Sequence, residues 1–146
     1  MVKYTEEQNR VWRESLPKKQ IAVKVIAYDK DGKVLLVKPK YRDYWHNPGG
    51  GVDKDESPLS AAIREFREEV GLSIDAGKLK LIELLHGAKY DDLVAIYEFC
   101  KPIDPSEIVV QDSELEGFEM VETSKAGDYL SPRMGEWWMK RLLRQK

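Results

Sequence analysis

From Gly49 to Leu72 the chain reads Gly-Gly-Gly-Val-Asp-Lys-Asp-Glu-Ser-Pro-Leu-Ser-Ala-Ala-Ile-Arg-Glu-Phe-Arg-Glu-Glu-Val-Gly-Leu, and three of its glutamates are spaced to act together. On a helix advancing about 100° per residue, Glu65, Glu68 and Glu69 fall within an arc of roughly 100° and point outward as a group. Like charges at these separations destabilise a helix by about 0.2–0.5 kcal/mol per pair. The cluster is therefore unfavourable unless a cation compensates it, and Arg64 and Arg67 flank it without neutralising it. Hard divalent cations such as Mg²⁺ take oxygen ligands, use one or two protein carboxylates, and complete their shell with water and phosphate oxygens. Gly49, Gly50 and Gly51, following Pro48, supply backbone that can approach a ligand where a side chain would interfere. Together these residues suit a metal-plus-phosphate site. The rival reading is an ordinary solvated charge face.

The glutamates need a rigid support. Ser57 is a good N-cap, Pro58 fits the first helical position, and Gly71 fits the left-handed residue that ends a helix, so the spacing predicts a helix over 58–70. Leu59, Ala62, Ile63, Phe66 and Val70 recur at core-facing intervals, with the glutamates centred about 130° away. Upstream, Thr5 and Gln8 form a capping-box pattern for a helix over 5–16, stopped by Pro17, with Trp12 as a packing or dimer-contact residue. Ile21 to Tyr28 and Val34 to Val37 are apolar on both faces. The Asp29-Lys30-Asp31-Gly32 turn between them predicts a hairpin.

The segment from Lys38 to Tyr44 is basic and aromatic, with Lys38, Lys40 and Arg42 as phosphate contacts or a solvated loop. Tyr41, Tyr44 and Trp45 stack on a base or cover the sheet edge, the latter preferred for Trp45. Leu79 to Leu85 and Leu93 to Cys100 read as strands, as does Glu114 to Val121. Ser131-Pro132 caps a C-terminal amphipathic helix whose tryptophans, Trp137 and Trp138, belong to the core. Asp53, Asp55 and Ser57 resemble the start of a calcium loop. Pro58 at its sixth position and Arg64 at its twelfth exclude that reading.

At 146 residues, with 42% apolar and 34% charged residues and a net charge of −2, the chain reads as one soluble domain, 1–146, with 1–17 as a helical extension. No apolar run reaches the ~18 residues of a membrane span and no signal-peptide core is visible, so a cytoplasmic location is expected. The lone Cys100 ends an apolar run and is expected to be buried. The near-neutral balance argues against duplex nucleic acid and for a small phosphorylated substrate.

Gly50, Glu56, and Arg64-Glu65-Phe66-Arg67-Glu68-Glu69-Val70-Gly71-Leu72 resemble the Nudix box at every fixed position, Phe66 standing where an aliphatic residue is usual. The preceding Trp45-His46-Asn47-Pro48-Gly49-Gly50 is similar to the family's approach to the box, with Asn47 in place of a large apolar residue. The resemblance implies an α/β fold, specifically an α/β/α sandwich with a mixed sheet flanked by helices. It also implies Mg²⁺- or Mn²⁺-dependent hydrolysis of a nucleoside diphosphate linked to another group. Metal is then expected on Glu65, Glu68 and Glu69 with the Gly49 or Gly50 carbonyl. Arg64 orients the carboxylates and Glu56 holds the loop or supports the metal.

A further glutamate comes from the late segment: Glu114, with Glu116 and Glu119 as competitors. Glu65, Glu69 and Glu114 all remain open as the general base. Nucleoside triphosphates are the favoured substrates, with dinucleoside polyphosphates next on account of Tyr90. ADP-ribose and nucleotide sugars follow, since no proline occurs between residues 73 and 101. Family members commonly form homodimers. A non-catalytic nucleotide-binding regulator is the alternative of a different class, and its mark would be loss of the box glutamates.

Overall fold

The computed structural model describes all residues from Met1 to Lys146. In chain order the elements are α1 (Glu6–Ser15), β1 (Ile21–Ile26), β2 (Val34–Pro39), β3 (Gly49–Gly51), α2 (Pro58–Val70), β4 (Leu79–Gly87), β5 (Asp92–Phe99), β6 (Leu115–Val121), α3 (Thr123–Tyr129) and α4 (Pro132–Arg144). Four strands form one mixed sheet in the order β3-β1-β5-β4. β1 runs parallel to β5, while β3 and β4 lie antiparallel to their neighbours. β2 and β6 make a separate antiparallel pair.

Strands β1 and β5 are apolar on both faces because both faces are covered, as in other sheets packed between helices. Val23, Val25, Ala27, Ala95 and Tyr97 join Phe66 and Val70 of α2 in one core. Ile26, Val94 and Ile96 join Met134, Trp137 and Trp138 of α4 in the other. This is the α/β/α arrangement expected from the family resemblance. Trp138 is fully enclosed, and its indole N–H donates to the Thr123 carbonyl at 2.8 Å, which ties α3 to α4. The two helices meet closely at Gly135, where a Cβ would stand 2.7 Å from the Gly127 carbonyl oxygen.

Helix α2 covers 58–70 as its caps dictate: the Ser57 hydroxyl accepts from the Ser60 amide and Gly71 adopts φ +74°. The capping box of α1 forms with both Thr5 and Gln8 hydrogen bonds, but no residue of that helix is buried and Trp12 stays exposed. No helix is long and apolar enough to cross a membrane.

The chain departs from expectation in three places. The Asp29–Gly32 turn forms, with the Asp29 carboxylate accepting from the Asp31 and Lys33 amides at 2.9 Å, yet its strands do not make an extended hairpin. They pair only at its mouth, through Tyr28 with Val34, and then diverge into different sheets. Local turn chemistry sets the reversal, whereas burial on two separate cores sets the pairing partners. Gly49–Gly51, read as loop, forms a short edge strand against β1. Cys100 lies exposed because β5 stops at Phe99 and the chain bends outward there.

Candidate active site

The two sheets are joined by residues 45–51. Trp45 bridges Leu130 and His46 pairs with Val37 beside the small sheet, after which Gly49–Gly51 crosses to β1. A cleft of about 410 Å³ opens next to this crossing. Its lining is acidic through Glu65 and Glu69 from α2 and Glu114 from the approach to β6, and basic and aromatic through Lys24, Arg42, Arg133, Tyr41, Tyr44 and Trp45.

The glycines set the distance between α2 and the sheet. A Cβ on Gly49 would stand 2.0 Å from the Val23 carbonyl oxygen, and one on Gly50 would stand 2.5 Å from the Glu65 carboxylate. The first is closed by backbone and admits no side chain, and a side chain at the second would displace the Glu65 carboxylate. The glycine strand therefore lies directly over the helix, and the Gly49 amide donates to Glu69 Oε1 at 3.2 Å.

This crossing changes the expected geometry of the glutamates. Glu69 does not point to solvent: it is 6% exposed, under the glycine strand, and its Oε2 has no hydrogen-bond partner. Burial raises its carboxyl to about 7, opposed by the Lys24 charge and the Gly49 amide. Glu65 borders the cleft but is held by Arg64 Nη1 at 2.7 Å. Glu68, with its side chain 50% exposed, does not line the cleft and reaches Arg64 at 3.4 Å. The three do not form the common outward face expected from helical spacing, and no three acidic, histidine or cysteine side chains converge closely enough to share one ion. The oxygens bordering the cleft come from Glu65, Glu69 and Glu114 instead.

Arg64 and Glu56 lie outside the cleft and act on each other. Arg64 donates to both Glu56 oxygens, at 2.9 and 3.0 Å, and to the Gly51 carbonyl at 3.1 Å. The Arg64 hydrogen bond lowers the Glu56 carboxyl from its ordinary value, and the same pairing raises Arg64. This network clamps the glycine strand and the loop after it onto α2. Of the three late candidates, Glu114 lines the cleft, while Glu116, which reaches Lys38 at 3.9 Å, and Glu119 do not.

Of the basic residues between 38 and 42, only Arg42 lines the cleft. Lys38 and Lys40 turn to the main-chain carbonyls of Pro39 and Asp112. Tyr90 is exposed in the turn between β4 and β5, away from the site. His46 lines the cleft, and burial holds its ring neutral, down to about 3. Its Nδ1–H donates to the Asn47 carbonyl at 2.7 Å, leaving Nε2 as an acceptor. Asn47 itself is buried with neither side-chain polar atom paired.

Lys24 and Arg133 were not singled out by sequence reasoning. Lys24 had a visible signal, as the one charged residue in an apolar strand. Arg133 reads as an ordinary surface residue of a helix, and only the fold brings it to the cleft, where it pairs with Asp92 at 2.8 Å.

A cleft lined by both carboxylates and cations suits an anionic ligand that arrives with a counter-cation, on the α/β/α scaffold described. The NUDIX domain pattern matches residues 18–145; the chain belongs to the Nudix family. It is 36% identical over 80 residues to diphosphoinositol polyphosphate phosphohydrolase 2 from Homo sapiens, a stretch covering 54% of this chain and 44% of that protein. It is 48% identical over 50 residues to an RNA pyrophosphohydrolase from Halorhodospira halophila, covering 34% of this chain and 28% of that one. The chain thus spans less than half the length of these relatives. Among solved structures, the MutT protein from Methanosarcina mazei Go1 superimposes with a TM-score of 0.73 at 19% identity, covering 90% of this chain and 99% of that one. A C. elegans Ap4A hydrolase superimposes with a TM-score of 0.64 at 22% identity, covering 85% of this chain and 97% of that one.

Proposed function

We propose that this protein is a divalent-metal-dependent pyrophosphohydrolase that cleaves a phosphoanhydride in a nucleoside diphosphate linked to another group, with nucleoside triphosphates as the favoured substrates. The observation that carries the reading is Glu69: a nearly enclosed carboxylate with one oxygen unpartnered, at the edge of an oxygen-lined cleft. A buried carboxylate without a partner is costly, and a hard cation satisfies it. Glu65 and Glu69, beside the Gly49 main chain, are the residues that would hold Mg²⁺ or Mn²⁺, a two-carboxylate set of the kind Mg²⁺ commonly uses. When bound, such an ion supplies charge neutralisation on phosphoryl oxygens and lowers the pKa of water.

The protein's own groups account for the remaining requirements. Glu65 is engaged by Arg64, and Glu69 is committed under the glycine strand. Glu114 lines the cleft without either restraint and is the base we assign to accept a proton from the attacking water. Arg64 and Glu56 position Glu65 by clamping the loop, and act without touching the substrate. Lys24, Arg42 and Arg133, which line the cleft, neutralise the leaving phosphate. Relatives named for diphosphoinositol polyphosphates, RNA and Ap4A share a diphosphate or longer phosphate chain as the chemical target, which supports the reaction class and leaves the organic group open.

The test is a panel of nucleoside triphosphates, Ap4A, ADP-ribose and a diphosphoinositol polyphosphate, incubated with Mg²⁺ or Mn²⁺ and resolved by chromatography. Metal-dependent release of phosphate or diphosphate from at least one compound is expected. Tight binding of nucleotide with no turnover would replace the enzyme by a regulatory binder.

A further inference from the structure

Glu114 reaches the cleft from the end of a strand pair and not through packing. Residues 111–114 are all exposed, and Leu115 is the first side chain of β6 to enter a core. The ladder between β2 and β6 shifts register here: Lys38 faces Gly117 and Pro39 faces Leu115, which leaves Glu116 as the extra residue. In an unbroken strand Glu114 and Glu116 would share one face. The shift re-aims the chain, and Glu114 lines the cleft while Glu116 does not.

Polar ties stand in for the missing apolar ones. Pro39 has no N–H to give, and the Lys40 amide, one residue on, donates to the Glu114 carbonyl at 2.9 Å. The Lys40 ammonium donates in addition to the Asp112 carbonyl. On the other side, the Val109 and Gln111 amides donate to the Val70 and Glu69 carbonyls at 3.0 and 3.3 Å, capping the last turn of α2, and the Leu115 amide closes the turn on the Gln111 carbonyl at 3.2 Å. Among these ties only the Lys40 ammonium belongs to a side chain, so it is the one that a single replacement removes. Resting on the hydrolase reading with Glu114 as the base, we propose that Lys40 is a positioning residue. By holding the turn at two points, the Asp112 and Glu114 carbonyls, it fixes the Glu114 carboxylate where it takes the proton from the attacking water.

A general base works only within hydrogen-bond reach of the proton it removes, and a displacement of about 1 Å can cost about 100-fold in rate. Lys40 does not line the cleft, so its loss reaches the chemistry through Glu114 alone. Lys40→Met keeps the aliphatic stem and the main-chain bond and removes the ammonium. With a compound that the panel shows to be cleaved, kcat is expected to fall about 10-fold while KM stays within about twofold. Lys40→Arg recovers most of the loss, and Lys40→Met adds nothing when Glu114→Gln is already present. A raised KM at unchanged kcat, or a loss of full size in the Glu114→Gln background, would place the ammonium on the substrate itself and overturn the positioning role.

Amide hydrogen exchange of the metal-free protein is the second measurement and needs no turnover. In Lys40→Met the Gln111 and Leu115 amides are expected to exchange about 3-fold faster or more, while the Phe66 amide within α2 keeps its rate. That loosening, found when no compound of the panel is cleaved, supports the tether and overturns only the hydrolase reading. Unchanged exchange at Gln111 and Leu115, or unchanged kcat in Lys40→Met, would overturn the positioning role while leaving hydrolysis intact.

Discussion

The acidic and the cationic residues of the cleft are assembled in opposite ways. Most of the acidic set comes from one continuous stretch, where the Gly49–Gly51 strand, the Glu56–Arg64 clamp and helix α2 determine one another's positions over a short length of chain. The cationic set is collected from distant places: Lys24 from β1, Arg42 from the loop before β3, and Arg133 from the first turn of α4. A contiguous set is held by local geometry and can be altered by a single change. A dispersed set is held by the two cores and alters piecemeal. Under the proposed function, the residues assigned to cleavage are concentrated in one segment, and the cations are distributed over the fold.

The largest expected effect falls on the acidic residues. Glu69→Gln keeps the shape of a buried side chain while removing the charge, and should lower kcat by about 100-fold or more. Glu68→Gln, at a half-exposed site outside the cleft, should cost tenfold or less in the same assay. Equal losses would erase the distinction between these neighbouring glutamates.

The same variant carries a pH signature. The Glu69 carboxyl is raised to about 7 from an ordinary 4.5, so the metal-free folded protein binds more protons than the unfolded chain between those values. Its stability from this group is greatest below pH 4.5 and declines as pH rises through 7. Urea unfolding in chelator at pH 5 and pH 8 should show this decline, and Glu69→Gln should flatten it.

Next in size is the clamp. Arg64→Ala leaves Glu56 and Glu65, both partly exposed, without their shared partner, and frees the Gly51 carbonyl. A loss of about 1–3 kcal/mol in unfolding free energy is expected, together with reduced kcat, because Glu65 is no longer oriented. Unchanged stability would show that the network is only a surface arrangement.

The smallest effect tests the crossing between the sheets. Asn47 buries an amide with no partner for either polar atom. Such a group costs about 1–3 kcal/mol, so Asn47→Leu should raise the urea midpoint. A decrease would mean that an ordered water satisfies the amide.

The unequal construction of the acidic and cationic sets also explains what the sequence disclosed. Helix α2 and its glutamates were legible because caps, apolar stripe and charge spacing all lie within one stretch. The direction of Glu69 was not, since helical arithmetic gives an angle but not what lies across it, and the covering element is a strand made only of glycine. Glycine reads as loop on propensity, and here it is required by close approach to Val23 and Glu65. Strands β1 and β2 were both recognised, but the turn between them carried no information that they belong to different sheets. Helix α3 went unseen because its seven residues contain a glycine, lack a side-chain cap and bury only Ala126. Arg133 could not be assigned to the cleft before α4 was placed.

One consequence follows from the division of the interior into two packed clusters on either side of the central sheet. Phe66 and Val70, which seat α2, share no cluster with Met134 and Trp138, which seat the helix bearing Arg133. Substitutions that shift α4 slightly can therefore move Arg133 while α2 and its glutamates stay in register, so that descendants of this chain can vary the cations of the cleft without disturbing its carboxylates.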